Sequence, residues 1–247
     1  MNLSLIFSNF FSDLGAWWNG FLVSIAAWWD GFSVSAATAL PRLLDGFGMN
    51  CLLFALTLVM AVPLGLIITF GTMAKFKPLK WLMKTFVWII RGTPLMLQLF
   101  VALYAPGLLF KIPIHNRIMP ALIALVINYA AYFSEIFRGG IESIPAGQYE
   151  AGQVLGLTKV QVFFKVVLFQ VIKRITPAMG NEVITLVKDT ALARVIGVTE
   201  IIQSASRFAA SGVIWPLFAS GLYFLAFTAV LSALLSFVEK KLDYYKG

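Results

Sequence analysis

PAGQYEAGQVLGLT (residues 145–158) is the most polar stretch of a strongly apolar chain, and its pattern is that of two short helices meeting at a glycine. Pro145 suits the first turn of a helix, where its missing N–H leaves no bond unmade. Gln148 to Leu155 continue that helix, and Gly156 can close it in a left-handed cap. Thr158 can cap a second helix, which runs on through Val160, Phe163, Phe164, Val167 and Leu168. The stretch is too polar to cross a bilayer and too patterned for a slack loop. A bent helix pair of this kind lies across a membrane surface and presents its end to another protein. The bland alternative is an interfacial or re-entrant loop with no partner.

The surroundings make the membrane explicit. Of 247 residues 60% are hydrophobic and only 12% charged, with a mean hydropathy of +0.87. Soluble domains are roughly half apolar and about a quarter charged, so this composition belongs to a multi-span membrane protein. The formal charge of +8 reads as basic residues at the cytoplasmic ends of spans, not as a nucleic-acid surface. Cys51 is the single cysteine and His115 the single histidine, so the chain offers no disulfide and no multi-histidine metal site. Serines and threonines have no histidine base beside them, which argues against nucleophilic catalysis.

A spanning helix needs roughly 20 apolar residues. Five segments qualify: 48–73, 81–110 with an interruption at Gly92–Pro94, 118–136, 170–197 and 213–238. Most of the 19 basic residues then fall on one side, among them Lys75, Lys77, Lys80, Lys84, Arg138, Lys159, Lys165, Lys173, Arg174, Lys240, Lys241 and Lys246. Arg42, Lys111, Arg117 and Arg207 fall on the other. The positive-inside rule puts the C-terminus in the cytoplasm and the residues before Gly48 outside. The start MNLSLIF lacks the basic region of a cleaved signal peptide.

Residues 1–45 form a tryptophan-rich head in which AWWNGF (16–21) recurs as AWWDGF (27–32). Eleven residues are close to three helical turns, so both tryptophan pairs share a face. Only a short run separates Asp13 from Asp30, and Asn19 lies within it. The expectation is a separate helix lying on the outer membrane surface, with a sixth span as the alternative. Residues 46–240 are the transmembrane domain and 241–247 a cytoplasmic tail.

Polar residues inside the spans mark a pathway or a pair. Glu182, Thr185 and Asp189 follow i, i+3, i+7 spacing, which turns the two carboxylates to within about 20° of each other. Asn128, Tyr132 and Glu135 share a face of the third span. Arg91, Thr93 and Gln98 surround the break in the second, where Thr93 before Pro94 is placed to cap a half-helix whose N-terminus can receive a carboxylate. Glu182 and Asp189 suit an ammonium or a cationic side chain, with Thr185, Asn128, Gln98 and Thr93 as further ligands of a substrate. The competing reading is that these groups only satisfy one another across a helix interface. Arg138 and Glu142, at the cytoplasmic end, read as structural.

QYEAGQVLG resembles the EAA motif (EAA-x-x-x-G) of ATP-binding-cassette importer membrane subunits: Glu150, Ala151 and Gly156 match, while Gly152 replaces the second alanine. RGTPLMLQLF (91–100), EIFRGGIESIPAGQYEA (135–151) and KDTALARVIG (188–197) are similar to the polar amino acid permeases of the histidine, glutamine and arginine branch. The similarity covers about residues 45–240. Phe169 and Thr176 depart from the family pattern, where Pro and Leu are usual. The resemblance implies an all-α integral membrane fold, a type I importer transmembrane domain of about five spans with a cytoplasmic coupling helix. It implies that Pro145, Gln148, Tyr149, Glu150, Ala151 and Gly156 seat in a groove of a separate cytoplasmic ATPase dimer. It also implies an extracytoplasmic amino acid-binding protein, a homodimer or a heterodimer with a sister permease, and a bacterial inner membrane with its lipid as surroundings. The chain has no G-x-x-x-x-G-K-[ST] phosphate loop. It is therefore expected to be no enzyme and to bind no cofactor, ATP and magnesium being used by the partner. A self-sufficient ion-coupled transporter or channel is the alternative, and a membrane scaffold without a substrate a third.

Overall fold

The computed structural model describes residues 3–242, with side chains from Ser12 onward apart from Trp28 and Asp30; most of the expected tail, 243–247, lies outside the described residues. The described chain is helical. α1 spans Leu3–Thr72, α2 Lys77–Gly92, α3 Leu95–Phe110 and α4 Ile118–Glu142. The short α5 (Ala146–Val154) and α6 (Lys159–Val162) follow, and a π-helical turn over Phe163–Val167 leads into α7 (Leu168–Asp189). A 3-10 segment (Thr190–Ile196), α8 (Ile201–Ala210) and α9 (Trp215–Leu242) complete the order.

Helix α4 is the hub, packing against α1, α2, α3 and α7. Tyr129, Phe133 and Leu125 on it are fully buried. Lipid tails are as apolar as leucine, so helices in a bilayer associate by close packing and polar contacts rather than by escape from water. Both devices are present. A Cβ on Gly65 of α1 would come within 3.0 Å of Phe133 and of the Ala130 carbonyl, so the two backbones cross closely. Beside that crossing, the Thr69 hydroxyl donates to the Ser134 carbonyl at 3.0 Å.

Three described helices are long and apolar enough to cross a membrane, Ser12–Thr72, Ile118–Glu142 and Trp215–Leu242, and the pair α2–α3, bent by 108°, adds a fourth if it counts as one span. The fifth expected segment does not pass that test. α7 carries Lys173, Arg174, Glu182, Lys188 and Asp189, and it packs between α4 and α9. A helix flanked by protein can keep polar residues that lipid would reject.

No helix break separates residues 3–45 from the first span: α1 is continuous through Pro41 and Pro63. Gly46 faces α8, where a Cβ would lie 2.8 Å from the Ile201 backbone. Proline inside a membrane helix is tolerated when neighbours satisfy the freed carbonyl. At 1.5 Å per residue α1 is about 105 Å long, against a hydrocarbon core of about 30 Å. The bundle grips it from about Phe32 onward: the Phe32 ring lies 5.1 Å from that of Trp215, and the Trp215 indole N–H donates to the Ser35 hydroxyl at 3.0 Å. Trp17, Trp18 and Phe21 form an exposed aromatic group beyond that point.

Candidate substrate cavity and coupling helices

A cavity of about 440 Å³ opens between the α2–α3 break, α4 and α7, lined by Arg91, Thr93, Asn128, Tyr129, Tyr132, Glu182, Thr185 and Asp189 among others. Five of the six candidate substrate residues are thus brought together. The sixth, Gln98, does not line the cavity. Its amide nitrogen donates to the Ile90 carbonyl (2.8 Å), the Thr93 hydroxyl (3.0 Å) and the Thr93 carbonyl (3.2 Å), and its oxygen accepts from Asn128 at 3.1 Å. Gln98 therefore staples the break, supplying partners to backbone groups that the 108° bend strands.

Thr93 is also corrected. Pro94, not Thr93, holds the N-cap position of α3, and no side chain caps that helix. Thr93 ends α2, its hydroxyl donating backwards to the Ile89 carbonyl at 3.0 Å. Back-bonding to residue i−4 is the ordinary alternative for a threonine on a helix, and here it wins over capping. The half-helix carboxylate site built on Thr93 loses its capping residue.

On α7, Glu182 and Asp189 both face the cavity, as their spacing requires. Asp189 accepts from the Tyr129 hydroxyl at 2.8 Å. Tyr129 was missed because a phenol buried in an apolar helix reads as packing; only its partner on α7 reveals its role. Thr185 lines the wall with its hydroxyl donating to the Asn181 carbonyl at 3.0 Å.

A second cavity, of about 500 Å³, shares Arg91, Gly92 and Tyr132 with the first and adds Lys84, Glu135 and Arg138. Here Arg138 grips Glu135 through two nitrogens, at 2.6 and 3.2 Å, and also reaches Glu142 at 2.6 Å. Arg91 lies 3.7 Å from Glu135 and 5.0 Å above the Tyr132 ring centre.

Away from these cavities, buried Glu200 caps α8. It accepts from the Gln203 and Ile202 N–H groups at 2.6 and 3.0 Å, and the Asn50 amide reaches it at 3.4 Å. Asn50 also donates to Thr190 (3.0 Å) and accepts from the Ile201 N–H (3.1 Å), tying α1, the 3-10 segment and α8 together. Burial raises the Glu200 carboxyl above the usual range, while those donors and the Arg194 charge oppose the rise.

At the far end of α4, the bent segment takes the expected form. α5 begins after Pro145, which sits at its N-cap, one position earlier than a first-turn proline. Gly156 has φ +73°. Its N–H bonds the Gln153 carbonyl at 2.9 Å and the Leu157 N–H bonds the Gly152 carbonyl at 3.0 Å, the paired bonds of a Schellman turn. Thr158 and Gln161 form a reciprocal capping box that opens α6. Gly152 departs from the motif's alanine because its Cβ would occupy the space of the Val162 methyls. Gln148 is engaged by Gln170 of α7 at 3.1 Å. Tyr149 is half-buried, packed on the cluster of Ile144, Val162, Val167 and Val171. Glu150 and Ala151 are exposed, and so are Val154 (87%) and Leu155 (78%), two apolar residues that sequence reasoning took as helix filling. The Arg174 guanidinium donates to the Ser143 carbonyl and braces α7 against the end of α4.

A polar cavity among membrane-crossing helices, with a braced helix pair at the end of α4 and the start of α7, defines a membrane transport subunit. The chain belongs to the family of binding-protein-dependent transport system inner membrane components, whose model matches residues 61–244. It is 33% identical to the arginine transport system permease protein ArtQ of Bacillus subtilis, over 82% of this chain and 93% of that one. It is 35% identical to the L-cystine transport system permease protein TcyB of the same organism, over 83% and 88%. A solved amino acid ABC transporter with histidines shares the fold at a TM-score of 0.77 and 32% identity, covering 84% of this chain and 97% of that one. The MetNI methionine transporter, at 16% identity and a TM-score of 0.64, shares the fold.

Proposed function

We propose that the chain is the membrane permease of an ATP-binding-cassette importer for a polar amino acid, with Glu182 and Asp189 receiving the ammonium or a cationic side chain. The observation that carries this reading is the meeting of the two carboxylates in one 440 Å³ cavity whose helices α4 and α7 end on the braced pair α5–α6. The relatives named for arginine and cystine transport support the amino acid class. Thr185, Asn128 and Thr93 complete the cavity wall, and Gln98 holds its shape.

A partner ATPase dimer, using ATP and magnesium, closes against Glu150, Ala151, Val154 and Leu155. The rigid bracket passes that displacement into α4 and α7, and the cavity alternates its access. An extracytoplasmic binding protein delivers the substrate, and two permease chains form the translocating unit. The C-terminus lies in the cytoplasm, on the side of the bracket, where the lysine-rich ends of the helices gather.

Purification with the partner ATPase and binding protein, followed by a panel of amino acids, tests this reading. A polar amino acid that stimulates ATP turnover and enters proteoliposomes is the expected result. Uptake without any ATPase, or turnover indifferent to every amino acid, would overturn it.

A further inference from the structure

The two cavities meet at Arg91, whose charge is only loosely paired. Glu135 is already held by Arg138 through two short bonds, and Arg138 also takes Glu142. Arg91 approaches Glu135 only at 3.7 Å, with its side chain 42% exposed. Charge-assisted hydrogen bonds of nitrogen to carboxylate are about 2.7–2.9 Å, so this contact is a loose one. The Tyr132 face below the guanidinium steadies the cation without neutralising it. In the substrate cavity, Arg91 stands at the wall formed by the α2–α3 break, while Glu182 and Asp189 stand on α7. A cation and two carboxylates in one cavity offer partners of both signs to an amino acid zwitterion.

Resting on the reading of the chain as an amino acid permease, we propose that Arg91 is the residue that recognises the substrate α-carboxylate. It exchanges its loose contact with Glu135 for that carboxylate when substrate enters. The guanidinium presents planar paired donors, the geometry a carboxylate accepts in bidentate fashion. Because Arg91 also lines the second cavity, toward the bracket end of α4, its swing on binding alters the passage between the two. Glu135 keeps Arg138 throughout, so the exchange strands no buried charge.

The test uses the complete complex with its ATPase and binding protein. Wild-type uptake identifies the best substrate among L-arginine, L-cystine, L-histidine and L-glutamine. Binding of that amino acid and of its α-carboxamide is then measured on the permease–ATPase complex alone. Arg91→Gln is expected to weaken amino acid binding about tenfold or more and to leave carboxamide binding within about twofold; Arg91→Lys should recover part of the loss. Glu135→Gln, which releases Arg91, should tighten amino acid binding a few-fold. A purely structural Arg91 would weaken both ligands alike, and that result, or unchanged amino acid binding in Arg91→Gln, overturns the proposal while leaving the permease reading intact. Absence of wild-type uptake for these four and for every other amino acid of the panel would instead overturn the permease reading and this proposal with it.

Discussion

At the scale of single residues, two glycines carry consequences out of proportion to their size. Gly156 sits at φ +73° and ends α5 with two backbone bonds. A β-branched residue there costs about 1–2 kcal/mol in that conformation and distorts the bracket. Gly156→Val is therefore expected to insert normally, yet to lose most substrate-stimulated ATP turnover; wild-type coupling in that variant would remove the lever role from the turn. Gly152→Ala restores the usual motif but drives a methyl into Val162, a short β-branched side chain that cannot swing away. Overpacking of this kind costs about 1–3 kcal/mol, so the thermal midpoint of the purified chain should fall, and Val162→Ala in the same chain should restore it. Both glycines were visible in the sequence. Only the fold says that one serves conformation and the other space.

At the scale of elements, α5–α6 and the start of α8 are the two polar constructions that hold the bundle ends. The exposed pair Val154 and Leu155 gives α5 an apolar patch, the centre of the proposed ATPase docking surface. Val154→Asp with Leu155→Asp should lower co-purification of the ATPase about tenfold or more while leaving the chain folded; unchanged co-purification would move the contact elsewhere. The motif named Glu150 and Gly156, whereas the proposed anchors lie at positions where it accepts any residue, which is why the sequence hid them. Glu200 behaves differently. Its folded-state pKa is raised by burial, so its contribution to stability is largest below its unfolded value, near 4.3, and declines as pH rises through the folded value. Relative to Glu200→Gln, the wild type should gain thermal stability as pH is lowered from 7.5 to 5. A difference independent of pH would contradict the burial argument.

For the whole molecule, the extent of the match to its relatives sets the frame. The match covers 93% of one relative and 97% of one solved chain while leaving 18% and 16% of this chain outside it. The family model begins at residue 61 and runs to 244. The tryptophan-rich part of α1 projects beyond the grip of Trp215 on Phe32 and Ser35. Removal of residues 2–26 should therefore leave ATP-driven uptake by the reconstituted complex within about twofold of the full chain. A loss of uptake with normal insertion would show that this helix engages another component of the importer.

The amino-acid sequence alone determined the membrane class, the helix break at Gly92–Pro94, the bent pair 145–158 and the carboxylate face of α7, because each follows from composition, backbone chemistry or helical period within one segment. It did not show that α1 runs unbroken from the tryptophan-rich head into the first span through Pro41 and Pro63, since proline is tolerated inside a helix only where neighbours satisfy the backbone. The tertiary structure decided the rest: that Gln98 staples the break, that Thr93 bonds backwards, that Tyr149 packs on Val162 and its neighbours, that Tyr129 meets Asp189 and that Arg91 is held loosely. Each of these depends on which partner lies within about 3 Å, and a chain read one segment at a time carries no record of its neighbours in space.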